Sequence, residues 1–259
     1  MSDELKVERR GPVLVATIDQ QERMNALSPQ IREGLVDTWA SLLTDRTVRS
    51  IVITGAGSRA FCTGMDLQAF AERGGPRPGK ADVHDELKDT PLHCGVWLPT
   101  IVAVNGVCAG SGFHFIADAD IVVASTTASF VDTHVSVGQV TALEPITLMP
   151  RIGLGNALRM SVLGKHGRIG AEEALRISLV DEVVEPERLL DRAIELAEFA
   201  ATGSPAAIEA SKKAIRGSLQ RPMSEAMQFG WELLLAHRQH PDCLEGPQAF
   251  VEKREAQWK

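Results

Sequence analysis

The sequence predicts an α/β core followed by a helical C-terminal region. Short β-branched runs punctuate the first two thirds of the chain, helical spacings lie between them, and only helical patterns follow residue 190 or so. Leu14-Val15-Ala16-Thr17-Ile18 is the first strand pattern, closed by a polar turn. Ser28-Pro29 supplies a capping hydroxyl and a proline at the first helical position. Ile31, Leu35, Trp39, Leu42 and Leu43 then recur at helical spacing. Ile51-Val52-Ile53-Thr54 reads as a short buried strand ended by Gly55-Ala56-Gly57. Arg73 to Lys80, RGGPRPGK, reads as a mobile loop. Val83 to Val96 reads as helical, broken or kinked at Pro91.

Ile101 to Val104 and Ile121-Val122-Val123 are two further strands, with a helical Gly110 to Ala119 between them. This alternation implies strands joined by helical crossovers. Leu189, Leu190, Ala193, Ile194 and Ala197 mark the next helix, and Ser204-Pro205 opens another that carries Ile208 and Ile215. A long helix runs from about Pro222 to His237, and Gly246 to Lys259 is again helical. The expected division is an α/β core over 1–190 and a helical region over 191–259. The apolar faces of that region bury on the core or on a neighbouring subunit.

At 259 residues the chain can form one large domain, and 44% hydrophobic with 24% charged residues is ordinary globular composition. A net charge of -7 argues against nucleic acid and against an anionic membrane surface as partners. No apolar run has the length a membrane helix needs. The segment MSDELKVERRG carries charges where a signal peptide would be apolar, so a cytoplasmic location is expected. Cys62, Cys94, Cys108 and Cys243 form no C-x-x-C pair and read as reduced core or loop residues. His237 and His240 are three apart with no evident third ligand. They read as a solvated helix face, and no metal site is expected.

Two glycine-centred segments carry the chemistry: Ala60-Phe61-Cys62-Thr63-Gly64-Met65-Asp66-Leu67, and Val104-Asn105-Gly106-Val107-Cys108-Ala109-Gly110-Ser111-Gly112-Phe113. Each follows a β-branched strand and precedes a helical pattern. Backbone N–H groups at a helix start are unpaired and partly positive. Two such loops facing each other can bind one developing oxyanion. Gly110-x-Gly112 is not a dinucleotide fingerprint, because the third glycine would fall on Phe115.

Together these segments resemble the enoyl-CoA hydratase/isomerase (crotonase) superfamily, which shows F-C-x-G-x-D-L and then V-N-G-x-x-x-G-x-G in that order. Arg23-Met24-Asn25-Ala26-Leu27, Ala119-Asp120-Ile121, Pro150-Arg151-Ile152-Gly153 and Ala249 to Arg254 match further family segments, so the likeness spans nearly the whole chain. It implies a spiral of ββα units assembled as a homotrimer or dimer of trimers, acting on acyl-CoA thioesters. Coenzyme A is part of the substrate, and no separate cofactor is implied.

The resemblance also implies an oxyanion hole from the N–H groups of Met65 and Ser111. For the CoA portion it implies Asn25, Ala26 and Leu27, then Ala60, Cys62, Gly64, Asp66, Leu67 and Gly110. Arg23 is a candidate phosphate contact or a solvated charge, and Phe250 with Lys253 match tail positions near the nucleotide end. Asp66 has a competing role as a helix cap.

Family hydratases carry glutamates where this chain has His114 and His134. Neutral imidazole is a poor proton donor, so a pair doing both acid and base work needs one imidazolium. Turnover is therefore expected to change strongly between roughly pH 5.5 and 8. Glu144 is a third catalytic candidate or a helix-start charge. His84, His93 and Trp97 fall where the acyl pocket should be flanked. Three functions follow: hydratase-type acid-base chemistry on an enoyl-CoA, another crotonase reaction such as β-keto acyl C–C hydrolysis or isomerisation, and acyl-CoA binding without turnover.

Overall fold

The computed structural model describes residues 4–66, 71–72, 74–75 and 82–259. Strands β1 (Leu5–Arg10), β2 (Val13–Ile18), β3 (Ser50–Gly55), β5 (Thr100–Val104), β7 (Ile121–Ser125) and β10 (Glu182–Val184) form a six-stranded sheet in the order β1-β2-β3-β5-β7-β10. A second sheet takes β4 (Ala60–Cys62), β6 (Val107–Ala109), β8 (Ser129–Val131) and β9 (Ile169–Gly170) in that order. Successive pairs β3/β4, β5/β6 and β7/β8 each place the first strand in the large sheet and the second in the small one. Pairing from β2 through β7 to β10 is parallel, which requires the crossovers the alternation predicts. This is the spiral of ββα units that the resemblance implies.

The described helices are α1 (Pro29–Leu42), α2 (Val83–Glu86), α3 (Gly112–Asp118), α4 (Leu143–Leu163), α5 (Ala171–Arg176), α6 (Leu189–Ala201), α7 (Pro205–Ser218), α8 (Met223–His237) and α9 (Asp242–Glu252). Alternate residues of a strand face opposite sides of a sheet, and both sides of the large sheet are covered here. Leu14, Ala16, Ile51, Ile53, Val102 and Val104 join Ile31, Leu35, Trp39 and Leu42 of α1 in the main core. Val13, Val15, Val52, Ile101, Ala103 and Val123 pack against Leu189, Ala193, Ile194 and Ala197 of α6. The boundary expected at 190/191 thus falls inside a helix that closes the sheet's second face.

Ser28 caps α1, its hydroxyl accepting from Ile31 N at 3.1 Å. Trp39 is fully buried and its Nε1 donates to Asp89 O at 2.9 Å. Trp39→Ala is expected to cost about 3–5 kcal/mol, as large-to-small changes of buried aromatics do. Urea unfolding monitored by circular dichroism measures it.

Several expectations are corrected. Leu43 is 48% exposed rather than on the buried face of α1. Val83 to Val96 is no kinked helix: one turn (α2) is followed by turns and a 3-10 segment over Leu92–Cys94, which stops at Gly95 with φ +79. The last helix starts earlier than expected and ends at Glu252, with Lys253 left-handed at φ +55, so the final residues leave the helix. Leu67, most of the RGGPRPGK segment and the helix that Asp66 would cap lie outside the described residues. Among the described residues no helix is long and apolar enough to cross a membrane.

Candidate active site

The two glycine loops meet at the ends of β4 and β6, which pair in parallel. Their position is set from below by one carbonyl. Ala60 O accepts from Asn25 Nδ2 at 2.7 Å and from Asn105 Nδ2 at 3.0 Å. Asn25 is buried, and its Oδ1 also accepts from Gln20 N at 2.9 Å. Leu27 N donates to Gly64 O at 2.7 Å in a parallel bridge between Leu27 and Met65, which leaves the Met65 N–H outside the pairing. Gly64 has φ +79, and a Cβ there would stand 2.6 Å from Ser111 N. Only glycine allows this approach, so the Met65 and Ser111 amides come from abutting backbones. Ser111 leads into α3, where a helix start leaves N–H groups unpaired.

Four titratable side chains gather beside the loops. His114 on α3 places Nε2 3.3 Å from Glu144 Oε1, and His134 places its Nε2 3.7 Å from the same oxygen. His134 Nδ1 lies 2.8 Å from Asp132 Oδ1, which also accepts from His134 N at 3.0 Å. The Thr141 hydroxyl donates to the other oxygen, Asp132 Oδ2.

The hydrogen bond to Asp132 raises the His134 pKa. Burial opposes that rise, and the charges of Glu144 and Asp132 add to it. Burial pushes Glu144 up, yet the adjacent His114, through hydrogen bonding and charge, holds it below the ordinary carboxylate range. Burial also pushes Asp132 up, and bonds from His134 and Thr141 outweigh it. Both acids are therefore carboxylates near neutrality.

Exposure separates the two histidines. The His134 side chain is 23% exposed, whereas His114 is 8% and Glu144 9% exposed. His134 lines a cavity of about 320 Å³ with Met65, Gly110, Thr63, Thr133 and Val137. A Cβ on Gly110 would meet His134 Cε1 at 3.7 Å, so the imidazole stands against the second loop. Glu144 lies in the first turn of α4.

The structure thus brings Met65, Ser111, Gly64, Gly110, His114, His134 and Glu144 together. Ala26, Leu27, Ala60 and Cys62 are buried around the first loop. Arg23 Nη1 lies 2.5 Å from Asp66 Oδ2, an ion pair at the loop's outer edge. Phe250 and Lys253 stand exposed at the end of α9. His84 and His93 pair with each other through Nδ1 atoms 3.1 Å apart, and His93 Nε2 faces Asp118 at 3.5 Å.

Asp132 and Thr141 were missed from sequence. The signal available was an aspartate two residues before a candidate histidine, the spacing at which a carboxylate reaches the following backbone N–H.

A family profile described as Enoyl-CoA hydratase/isomerase matches residues 8–259. The (E)-benzylidenesuccinyl-CoA hydratase of Thauera aromatica is 35% identical over 245 residues, 93% of each chain. A carnitinyl-CoA dehydratase of Salmonella paratyphi A is 33% identical over 100% of this chain and 99% of its own. The crystal structure of an enoyl-CoA hydratase/isomerase from Mycobacterium paratuberculosis superposes with a TM-score of 0.90 at 35% identity, covering 99% of this chain and 98% of that one.

Proposed function

Since the chain belongs to the enoyl-CoA hydratase/isomerase family, we propose that it adds water across the double bond of an α,β-unsaturated acyl-CoA with His134 as its proton carrier. The observation that carries this reading is His134 itself, lining the cavity beside both loops with Nδ1 turned to Asp132. Neutral His134 takes a proton from water at Nε2 as hydroxide adds to the β-carbon. The electron pair moves to the thioester oxygen, held by the N–H groups of Met65 and Ser111. The imidazolium then returns the same proton to the α-carbon. One histidine therefore suffices, where the sequence suggested a base and an acid working together. His114 shares Glu144 Oε1 with His134 and keeps that carboxylate paired.

The relatives named above include a hydratase and a dehydratase of CoA thioesters, the two directions of one reaction. The reading includes a cytoplasmic enzyme that needs no cofactor beyond the substrate's CoA. It also includes assembly as trimers or paired trimers, supported by exposed Met223, Met227 and Trp231 on α8 and Leu154, Leu158 and Val162 on α4.

Loss of conjugated enoyl-thioester absorbance with crotonyl-CoA and longer 2-enoyl-CoAs tests the reaction. A 3-hydroxyacyl-CoA product with every carbon retained is expected. Binding of CoA esters without any absorbance loss would overturn the hydratase reading.

The working form is neutral His134. Its folded pKa lies above the ordinary 6.5, so kcat/KM is expected to rise as pH increases through that elevated value. The stability sign is opposite. The contribution of His134 is fully present below 6.5 and is lost as pH rises through the folded pKa. A kcat/KM profile that is flat, or that falls across this window while the fold persists, counts against the assignment.

A further inference from the structure

Asp132 directly follows β8 and is 4% exposed, and each of its oxygens is engaged. Oδ1 receives both the backbone N–H and the ring Nδ1 of His134, and Oδ2 receives the Thr141 hydroxyl. A carboxylate can only accept here. It therefore selects the tautomer that carries hydrogen on Nδ1 and leaves the Nε2 lone pair free. Gripping both the main chain and the ring of one residue also fixes the imidazole against rotation. Thr141 in turn fixes the carboxylate, from the segment that leads into α4 and Glu144.

We propose that Asp132, held by Thr141, is the positioning residue of this site: it sets the tautomer and direction of His134, whose ring lines the cavity, so that Nε2 is left without the hydrogen and turned away from Asp132, on the Glu144 side. The proposal rests on the reading of His134 as proton carrier, and it adds a device made of residues outside both glycine loops. Asp132 touches neither loop amide nor the cavity, so it acts through His134 alone. It does so in two ways: it keeps the lone pair available in the free enzyme, and it stabilises the imidazolium after the proton is taken. The groups facing His134 are Asp132 from its own turn and Glu144 from α4, whose Oε1 is also approached by the titratable His114 of α3.

Asp132→Asn separates charge from shape. The amide oxygen can still accept from His134, and the amide nitrogen can donate to Thr141. The expected result is a kcat reduced on the order of 10²-fold, with KM within about threefold because loop contacts are untouched. The rising limb of the pH profile should move to lower pH, because an imidazolium without its carboxylate partner loses its proton more easily. The His134 ring, followed by NMR in histidine-labelled protein without substrate, should show the same downward move.

Thr141→Val retains the Asp132 carboxylate but frees it to turn away from the ring, and it guards against misfolding of the first variant. It should lower kcat about fivefold, the worth of one net hydrogen bond, and shift the profile in the same direction. Unchanged kcat in Asp132→Asn would overturn the proposal, as would a loss of kcat with neither the profile nor the ring titration moved. If no enoyl-CoA is hydrated by the wild type yet the ring titration moves in Asp132→Asn, the positioning role stands and the hydratase reading fails.

Discussion

His134→Ala is expected to lower kcat by roughly 10²–10⁴-fold, the range that a positioned acid-base group supplies, with only a modest loss of thermal stability, because Asp132 keeps the backbone N–H of residue 134 and the Thr141 hydroxyl as donors. Its side chain is partly exposed and lines the cavity, so truncation removes a proton carrier without opening the core. His114→Ala should fail differently. The Glu144 side chain is buried and His114 is the nearer of its two imidazole partners. Removing the nearer imidazole leaves the buried carboxylate short of a hydrogen-bond partner, a loss of about 1–3 kcal/mol. Thermal melting run beside single-turnover kinetics separates the two: His134→Ala loses rate at a near-native melting temperature, and His114→Ala loses stability first. If His134→Ala kept kcat within about threefold of the wild type, the proton would have to travel by another group.

The second large effect is expected at a residue with no side chain. In Gly64→Ala the new methyl carbon would stand 2.6 Å from Ser111 N and 3.1 Å from Ala109 O. Both neighbours are backbone, so the loops themselves must separate. The φ of +79 adds strain for any residue with a Cβ. Displacing one oxyanion donor is expected to lower kcat about 10²–10³-fold. Ser111→Ala is the control: the proposed donor is its backbone N–H, so activity should stay within about threefold. Steady-state kinetics on the same enoyl-CoA decide it. Equal losses in both variants would mean that the Ser111 hydroxyl, not the spacing of the two amides, is what matters.

Local rules made much of this fold legible from sequence. Ser28-Pro29 is a capped helix start with a fixed φ at its first position, and α1 begins there. Strands β3 and β5 of the large sheet are β-branched runs buried on both faces, so they stand out without alternation. Strand β1 escaped because LKVERR is charged and lies at the sheet's edge, with only Leu5 fully buried. Strands β4, β6 and β8 have three residues each, too few to display a period. Helix α4 was hidden by Pro145, Pro150 and Gly153, and it does break helical geometry at Gly153, where φ is +74.

Within the site, the loops could be read from glycine spacing, and both histidines from their places in the family pattern. What the sequence could not give was the difference between the two histidines. Which one lines the cavity depends on where α4 brings Glu144, a contact between residues 30 positions apart on different elements. The role of Asp132 was local but silent, since an aspartate near a turn has many ordinary uses.

The carbonyl of Ala60, shared by Asn25 and Asn105, has a consequence for the order in which the polypeptide assembles. The two amides reach it from 35 and 45 positions away, on opposite sides along the chain. Asn105 arrives only once β5 has docked beside β3. Closing such long loops costs entropy before any contact repays it. The first amide of the oxyanion pair is therefore among the late-forming parts of the molecule. A nascent chain released before residue 105 would carry its family signature at Phe61–Asp66 with the geometry of that signature still unset.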